Sequence, residues 1–92
     1  MNRLTTAILL CAFSGSALGA ADCQEHPEDE WMSVFELQKK IVNEYGFAIK
    51  KFKVDGDCYE IYGWQLDDAG EQQRIEVYFD TSSGEIVKLK ED

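Results

Sequence analysis

Apolar positions along the chain change period at Gly46. Ahead of it, Val34, Leu37, Ile41 and Tyr45 recur at spacings of three and four, with Val42 widening the stripe, a pattern that predicts an amphipathic helix burying one face. Ser33 and Glu36 make an S-x-x-E capping box, in which hydroxyl and carboxylate each satisfy a free backbone amide, so the helix is predicted to start at Ser33. Gly46 stands where a left-handed residue would end it. On the solvent side, Glu36 with Lys40 and Lys40 with Glu44 lie four apart, each pair worth a few tenths of a kcal/mol.

Beyond Gly46 the period is two, and turn residues separate four segments rich in aromatic and branched side chains: 47–54, 58–66, 74–80 and 85–89. Asp55 and Gly56 suit a tight hairpin turn, and Asp67–Gly70 and Thr81–Gly84 supply the others. Phe47 and Ile49 share one parity while Phe52 and Val54 share the other, so a bulge near Lys50 and Lys51 is predicted to let both pairs face the core. In the third segment Ile75, Val77 and Phe79 point inward and Arg74, Glu76 and Asp80 outward, with Tyr78 resting on a neighbouring strand from the outward side. The fourth is a short edge. The predicted class is α+β: one N-terminal helix packed on a three- to four-stranded antiparallel meander sheet whose opposite face stays wet.

The start of the chain has a different character. Met1 to Arg3 is a short basic start, Leu4 to Phe13 an apolar run, and Ser14 to Ala21 a stretch of small residues, the arrangement of a secretory signal. The run is about half the roughly twenty residues a membrane span needs. Cleavage fits after Gly19 or after Ala21, the latter preferred, and Leu10 and Asp22 before the first two cysteines argue against lipid anchoring. The expected organisation is a signal peptide over 1–21, an acidic leader over 22–32 and a folded domain over 33–90. The expected location is periplasmic or secreted.

Export changes the reading of the cysteines. Cys11 leaves with the signal, and Cys23 and Cys58 remain as an even pair in an oxidising compartment, where a disulfide is the expected outcome. Closing a loop of about 36 residues contributes roughly 3–4 kcal/mol on the chain-entropy model, a large share for so small a domain. The competing reading, a metal held by Cys23, His26 and a carboxylate, requires reduced thiolates and usually four ligands. Nine basic residues become eight once Arg3 leaves, against eighteen acidic ones, so the mature charge is near −10. Such a surface repels nucleic acid and anionic membranes, and no membrane insertion is expected after signal removal. A basic protein partner or loosely held divalent cations are compatible with it.

Catalytic patterns are missing from the sequence. His26 is its one histidine, in the leader beside Pro27 where an exposed loop position is expected, and no G-x-S-x-G, H-E-x-x-H or C-x-x-C occurs. Glu60, Glu76 and Asp80 sit on outward positions of neighbouring strands, where they hold a hard cation, perform acid-base work or form an ordinary solvated face. The acidic turns at 55–57 and 67–70 lack the continuation of a calcium loop. Trp31 is expected to cover one end of the core ahead of the helix. Tyr62, Trp64 and Tyr78 are the candidate contacts for a partner.

Several local patterns occur in a telling order. Trp31 precedes Ser33 and Glu36; the helix closes in Tyr45, Gly46 and Phe47; Cys58, Tyr59, Glu60 and Ile61 follow the turn at 55–57; and Glu76 to Asp80 leads into Thr81 to Glu85. Together these resemble the PepSY domain, in its small stand-alone secreted form. PepSY domains also occur in the propeptides of thermolysin-like metallopeptidases, so the resemblance implies a role in binding or restraining peptidases. The expected function is a non-enzymatic periplasmic binding or regulatory module, without a cofactor, acting on a protein or peptide partner. Inhibition of a secreted peptidase and weak divalent-cation binding through Glu60, Glu76 and Asp80 are the alternatives.

Overall fold

A computed structural model of the protein describes residues 21–92. The expected export signal, with its apolar run and Cys11, lies outside the described residues. Helix α1 spans Val34–Lys40. Ser33 caps it, its Oγ accepting from the Glu36 amide at 3.0 Å, which satisfies one of the free donors of the first turn. The last turn, Ile41–Tyr45, widens into a π-helical turn, and Gly46 ends it at φ 74° with its amide donating to the Ile41 carbonyl. A left-handed residue there costs nothing only for glycine.

Four strands follow, β1 (Ala48–Asp55), β2 (Cys58–Leu66), β3 (Gln72–Asp80) and β4 (Ile86–Glu91), forming one antiparallel sheet in the order β1-β2-β3-β4. The α+β class and the meander are as the sequence predicts, with the helix lying mid-chain ahead of the sheet. The predicted bulge is present between Ile49 and Lys51, opposite Gly63 and Tyr62. Gly63 is required by it, because a Cβ built there would overlap the Ala48 carbonyl. Leu37 and Ile41 of the helix side pack on Tyr59, Ile61, Ile75, Val77 and Phe79 of the sheet, with Phe47 closing the cluster.

Several details depart from expectation. Val42 is 52% and Val34 42% exposed, because only the seam through Leu37 and Ile41 meets the sheet, and Val42 lies about 100° round the helix from Ile41. Val54, at the hairpin end of β1, is also exposed. Lys40 pairs with Glu44 at 2.9 Å, while Glu36 approaches Lys39 at 3.9 Å instead of Lys40. The first hairpin turns on Gly56 and Asp57, since Asp55 still pairs with Cys58. β3 begins two residues earlier than expected and β4 runs on to Glu91. The largest departure concerns the face away from the helix, which is not uniformly wet: Cys58, Glu60 and Tyr78 are buried there.

The leader accounts for part of that cover. Cys23 and Cys58 form the expected disulfide, with Cα atoms 5.5 Å apart, and Cys58 shares the parity of Glu60 and therefore the helix-free face. From there the chain turns through a 3₁₀ turn, Glu28–Glu30, and reaches the helix face at Trp31, which stands edge-on to Tyr59 at 5.4 Å. The Trp31 indole donates to the His26 carbonyl at 3.0 Å, the Tyr59 hydroxyl to the Met32 carbonyl at 2.7 Å, and the Met32 amide to the Thr81 carbonyl at 2.7 Å. The leader is thus hooked round one end of the sheet. Among the described residues no helix is long and apolar enough to cross a membrane.

Candidate functional site on the helix-free face

Strand pairing places every predicted contact residue on one surface. Glu60 stands between Lys53 of β1 and Tyr78 of β3, and Tyr62 between Lys51 and Glu76; Trp64 stands between Ala48 and Arg74, and Glu76 also faces Lys90 of β4. All belong to the parity opposite that of Ile61 and Val77, which carry the core. Two regions result, one closed and one open.

The closed region surrounds Glu60, whose residue surface is 1% exposed and whose carboxyl oxygens find no hydrogen-bond donor. Lys53 stands 3.8 Å away, reaching over the Tyr62 ring at 5.8 Å. Burial pushes the Glu60 carboxyl up to about 7, and the neighbouring Glu76 carboxylate reinforces the shift against the opposing Lys53 charge. Two ionised carboxylates cannot hydrogen-bond each other, whereas a protonated Glu60 donates to Glu76. Glu76 is correspondingly drawn down to about 2, by that shared proton first and then by the Tyr78 hydroxyl, which donates at 2.6 Å. Lys90 adds to this from 3.4 Å. Burial raises the Tyr78 hydroxyl, and its bond to Glu76 raises it further. The charges of Glu60 and Glu76 raise Tyr62. A carboxyl poised near neutrality is the usual equipment of a general acid or base, but Glu60 is sealed from solvent and from any substrate.

Asp80 is separate from this pair. His26 Nε2 meets its Oδ1 at 2.8 Å, and its Oδ2 accepts from the Ser83 amide at 2.8 Å, the Ser83 hydroxyl at 3.0 Å and the Ser82 amide at 3.1 Å. Burial opposes ionisation of Asp80, yet these bonds outweigh it and hold the carboxyl below its usual value. His26 is therefore not an exposed loop residue: its side chain is 17% exposed and pins the leader to the turn after β3. The proposed trio Glu60, Glu76 and Asp80 is not brought together, and among the described residues no three His, Cys, Asp or Glu side chains converge to hold a metal. The closed region instead holds Lys53 and Lys90, which would oppose a cation. Cys23, the other metal candidate, is consumed in the disulfide.

The open region lies at the bulge end. A pocket of about 330 Å³ is lined by Tyr62, Trp64, Lys50, Lys51, Arg74 and Asp92, together with Gly63 and Ile75, a volume at the lower end of those that hold small ligands. Tyr62 and Trp64 are half-buried and present surface here. Tyr78, the third predicted contact, is 4% exposed and spends its hydroxyl on Glu76, so it supports the face from within. The lysines and Arg74 were not singled out from the sequence. The signal that could have found them is the strand register, which puts Lys51 beside Tyr62 and Arg74 beside Trp64.

Comparison with known proteins adds the class. Residues 3–90 match the PepSY family described as peptidase propeptide and YPEB domain. No curated protein and no solved structure matches the chain. The family suggests a peptidase-propeptide-like regulatory or binding module, and its domains are generally non-catalytic. The match covers nearly the whole chain, and the protein belongs to the PepSY family.

Proposed function

We propose that this protein is a non-enzymatic module of the space outside the cytoplasm that binds a protein or peptide partner, a peptidase being the foremost candidate, through the pocket formed by Tyr62 and Trp64. The observation that carries the reading is that half-buried aromatics line an open pocket on the sheet face the helix leaves free, as a surface that works by contact requires. The family description, a peptidase propeptide domain, supports a peptidase as the class of partner. A leader closed by a disulfide supports an oxidising location, in line with a signal over 1–21 followed by a tethered leader over 22–32 and a domain over 33–90.

The test is capture from an extract of exported proteins on the immobilised, disulfide-bonded protein, with identification of what is retained. A peptidase or other defined protein held by the wild type and released by Trp64→Ala or Tyr62→Ala is the expected result. Equal retention by the variants would remove the pocket as the contact surface, and turnover of a substrate by the purified protein would overturn the non-enzymatic reading.

A further inference from the structure

Basic side chains are scarce in this protein and unevenly placed. Of the eight in the described residues, Lys39 and Lys40 lie on the helix, while Lys51, Lys53, Arg74, Lys88 and Lys90 share the helix-free face by register and Lys50 sits in the bulge at its rim. Lys39, Lys40, Lys53 and Lys90 are each engaged by a carboxylate within 4.0 Å. Among the described residues Lys50, Lys51, Arg74 and Lys88 make no such pair, and the first three line the Trp64 pocket. Asp92 is the one carboxylate residue on that lining, and its backbone is tied to β3, the amide to the Arg74 carbonyl at 3.0 Å and the carbonyl to Gln73 at 2.9 Å. In a chain of net charge −9, three cations with no carboxylate within 4.0 Å, set against the single acidic residue Asp92, form a local inversion of sign.

Resting on the binding-module reading above, we propose that the pocket takes an acidic polypeptide segment. Lys50, Lys51 and Arg74 pair with Asp or Glu side chains, and an adjacent apolar side chain enters between Tyr62 and Trp64. The indole N–H of the half-buried Trp64 offers a further donor at the pocket. Charge complementarity selects the occupant: a neutral or basic segment would leave three cations to be desolvated without partners. Long polyanions fit poorly, because they would extend past the pocket onto the acidic remainder of the surface, which repels them at close range.

The experiment uses fluorescence anisotropy on the disulfide-bonded protein. The probe is a short tagged peptide amide with Asp and Glu flanking a central Phe, compared with its Asn and Gln counterpart. The acidic peptide is expected to bind about tenfold tighter, the sum of three exposed charge contacts. High salt and the triple variant Lys50→Gln/Lys51→Gln/Arg74→Gln should each remove that advantage, while Lys39→Gln leaves it intact. Equal binding of the two peptides, an unaffected triple variant, or no binding of either overturns the proposal. So does binding that goes instead to anionic vesicles, or to a second copy through its acidic leader, the latter seen as self-association by sedimentation. If the neutral peptide binds as well and Trp64→Ala abolishes both, acidic selectivity falls while the module reading stands. Capture indifferent to Trp64 removes that reading.

Discussion

Glu60→Gln isolates the shared proton of the closed region. In the folded protein Glu60 titrates near 7 against an ordinary value of 4.5, so between those pH values the native state holds a proton that the unfolded chain has released. Stability then falls as pH rises, by about 1.4 kcal/mol per pH unit and about 3 kcal/mol across the window. The contribution is fully present below about pH 4.5 and gone above about pH 7. Glu76 has the opposite sign: drawn down to about 2, it contributes above its unfolded value and loses that contribution as pH falls through 2. Gln is neutral throughout and keeps an N–H to donate toward Glu76, so the variant should match the wild type near pH 4.5 and exceed it by about 2–3 kcal/mol at pH 8. Urea denaturation of both proteins at intervals between these pH values, with the disulfide intact, measures the difference and cancels the other titrating groups. Parallel pH dependences of the two proteins, or a variant destabilised equally at both ends, would show that Glu60 does not carry the proton.

Other perturbations probe the supports of this face. Replacing Cys23 and Cys58 together by Ala should cost roughly 3–4 kcal/mol through the freed loop, measured as a shift in denaturation midpoint; an unchanged midpoint would show that the leader is held without the bridge. Gly63→Ala sets a methyl group against the Ala48 carbonyl and should cost at least about 1–3 kcal/mol; a thermal melt indistinguishable from wild type would contradict the close approach at the bulge. Tyr78→Phe removes a 2.6 Å bond to Glu76, and a loss of about 1.5–3 kcal/mol is expected for a bond to a charged group. The same change should raise the Glu76 titration seen by carbon NMR, and an unmoved titration would count against the bond.

How legible the fold was in the sequence depended on how local the signal is. Ser33, Gly46 and the alternation Ile75, Val77, Phe79 act over a few residues, and the cap, the left-handed stop and the core strand were all predictable from them. The bulge was legible because Phe47 and Ile49 share one parity and Phe52 the other, and all three pack on one core, although Val54 does not. The burial of Glu60 and Tyr78 was not, since alternation reports only which face a residue points to and says nothing of what lies over that face. The tie from His26 to Asp80 spans 54 positions and left no periodic trace. Nor did the pocket, because Lys50, Lys51 and Arg74 meet only after the bulge and the β2–β3 register have set their positions.

The two ends of the helix-free face follow from where the disulfide is attached. Cys58 opens β2 at the end where Asp80 closes β3, so the bridge and the His26 contact both bring the leader to that end, next to Glu60. Further along β2, the bulge and Gly63 let β1 close in, and Trp64 stands open beside Arg74. The leader carries Asp22, Glu25, Glu28, Asp29 and Glu30, so it concentrates negative charge at the closed end and leaves the basic positions of the pocket facing only Asp92 at the other. Were the leader released by reduction, its carboxylates would become free to approach Lys50, Lys51 and Arg74, and the pocket would face a competitor within its own chain. Thiol pairing would then govern more than stability: the oxidised protein should hold an acidic peptide more tightly than the reduced one even where both remain folded. Anisotropy titrations with and without reductant, with circular dichroism confirming the fold, decide this, and equal affinities in the two states would confine the bridge to a structural role.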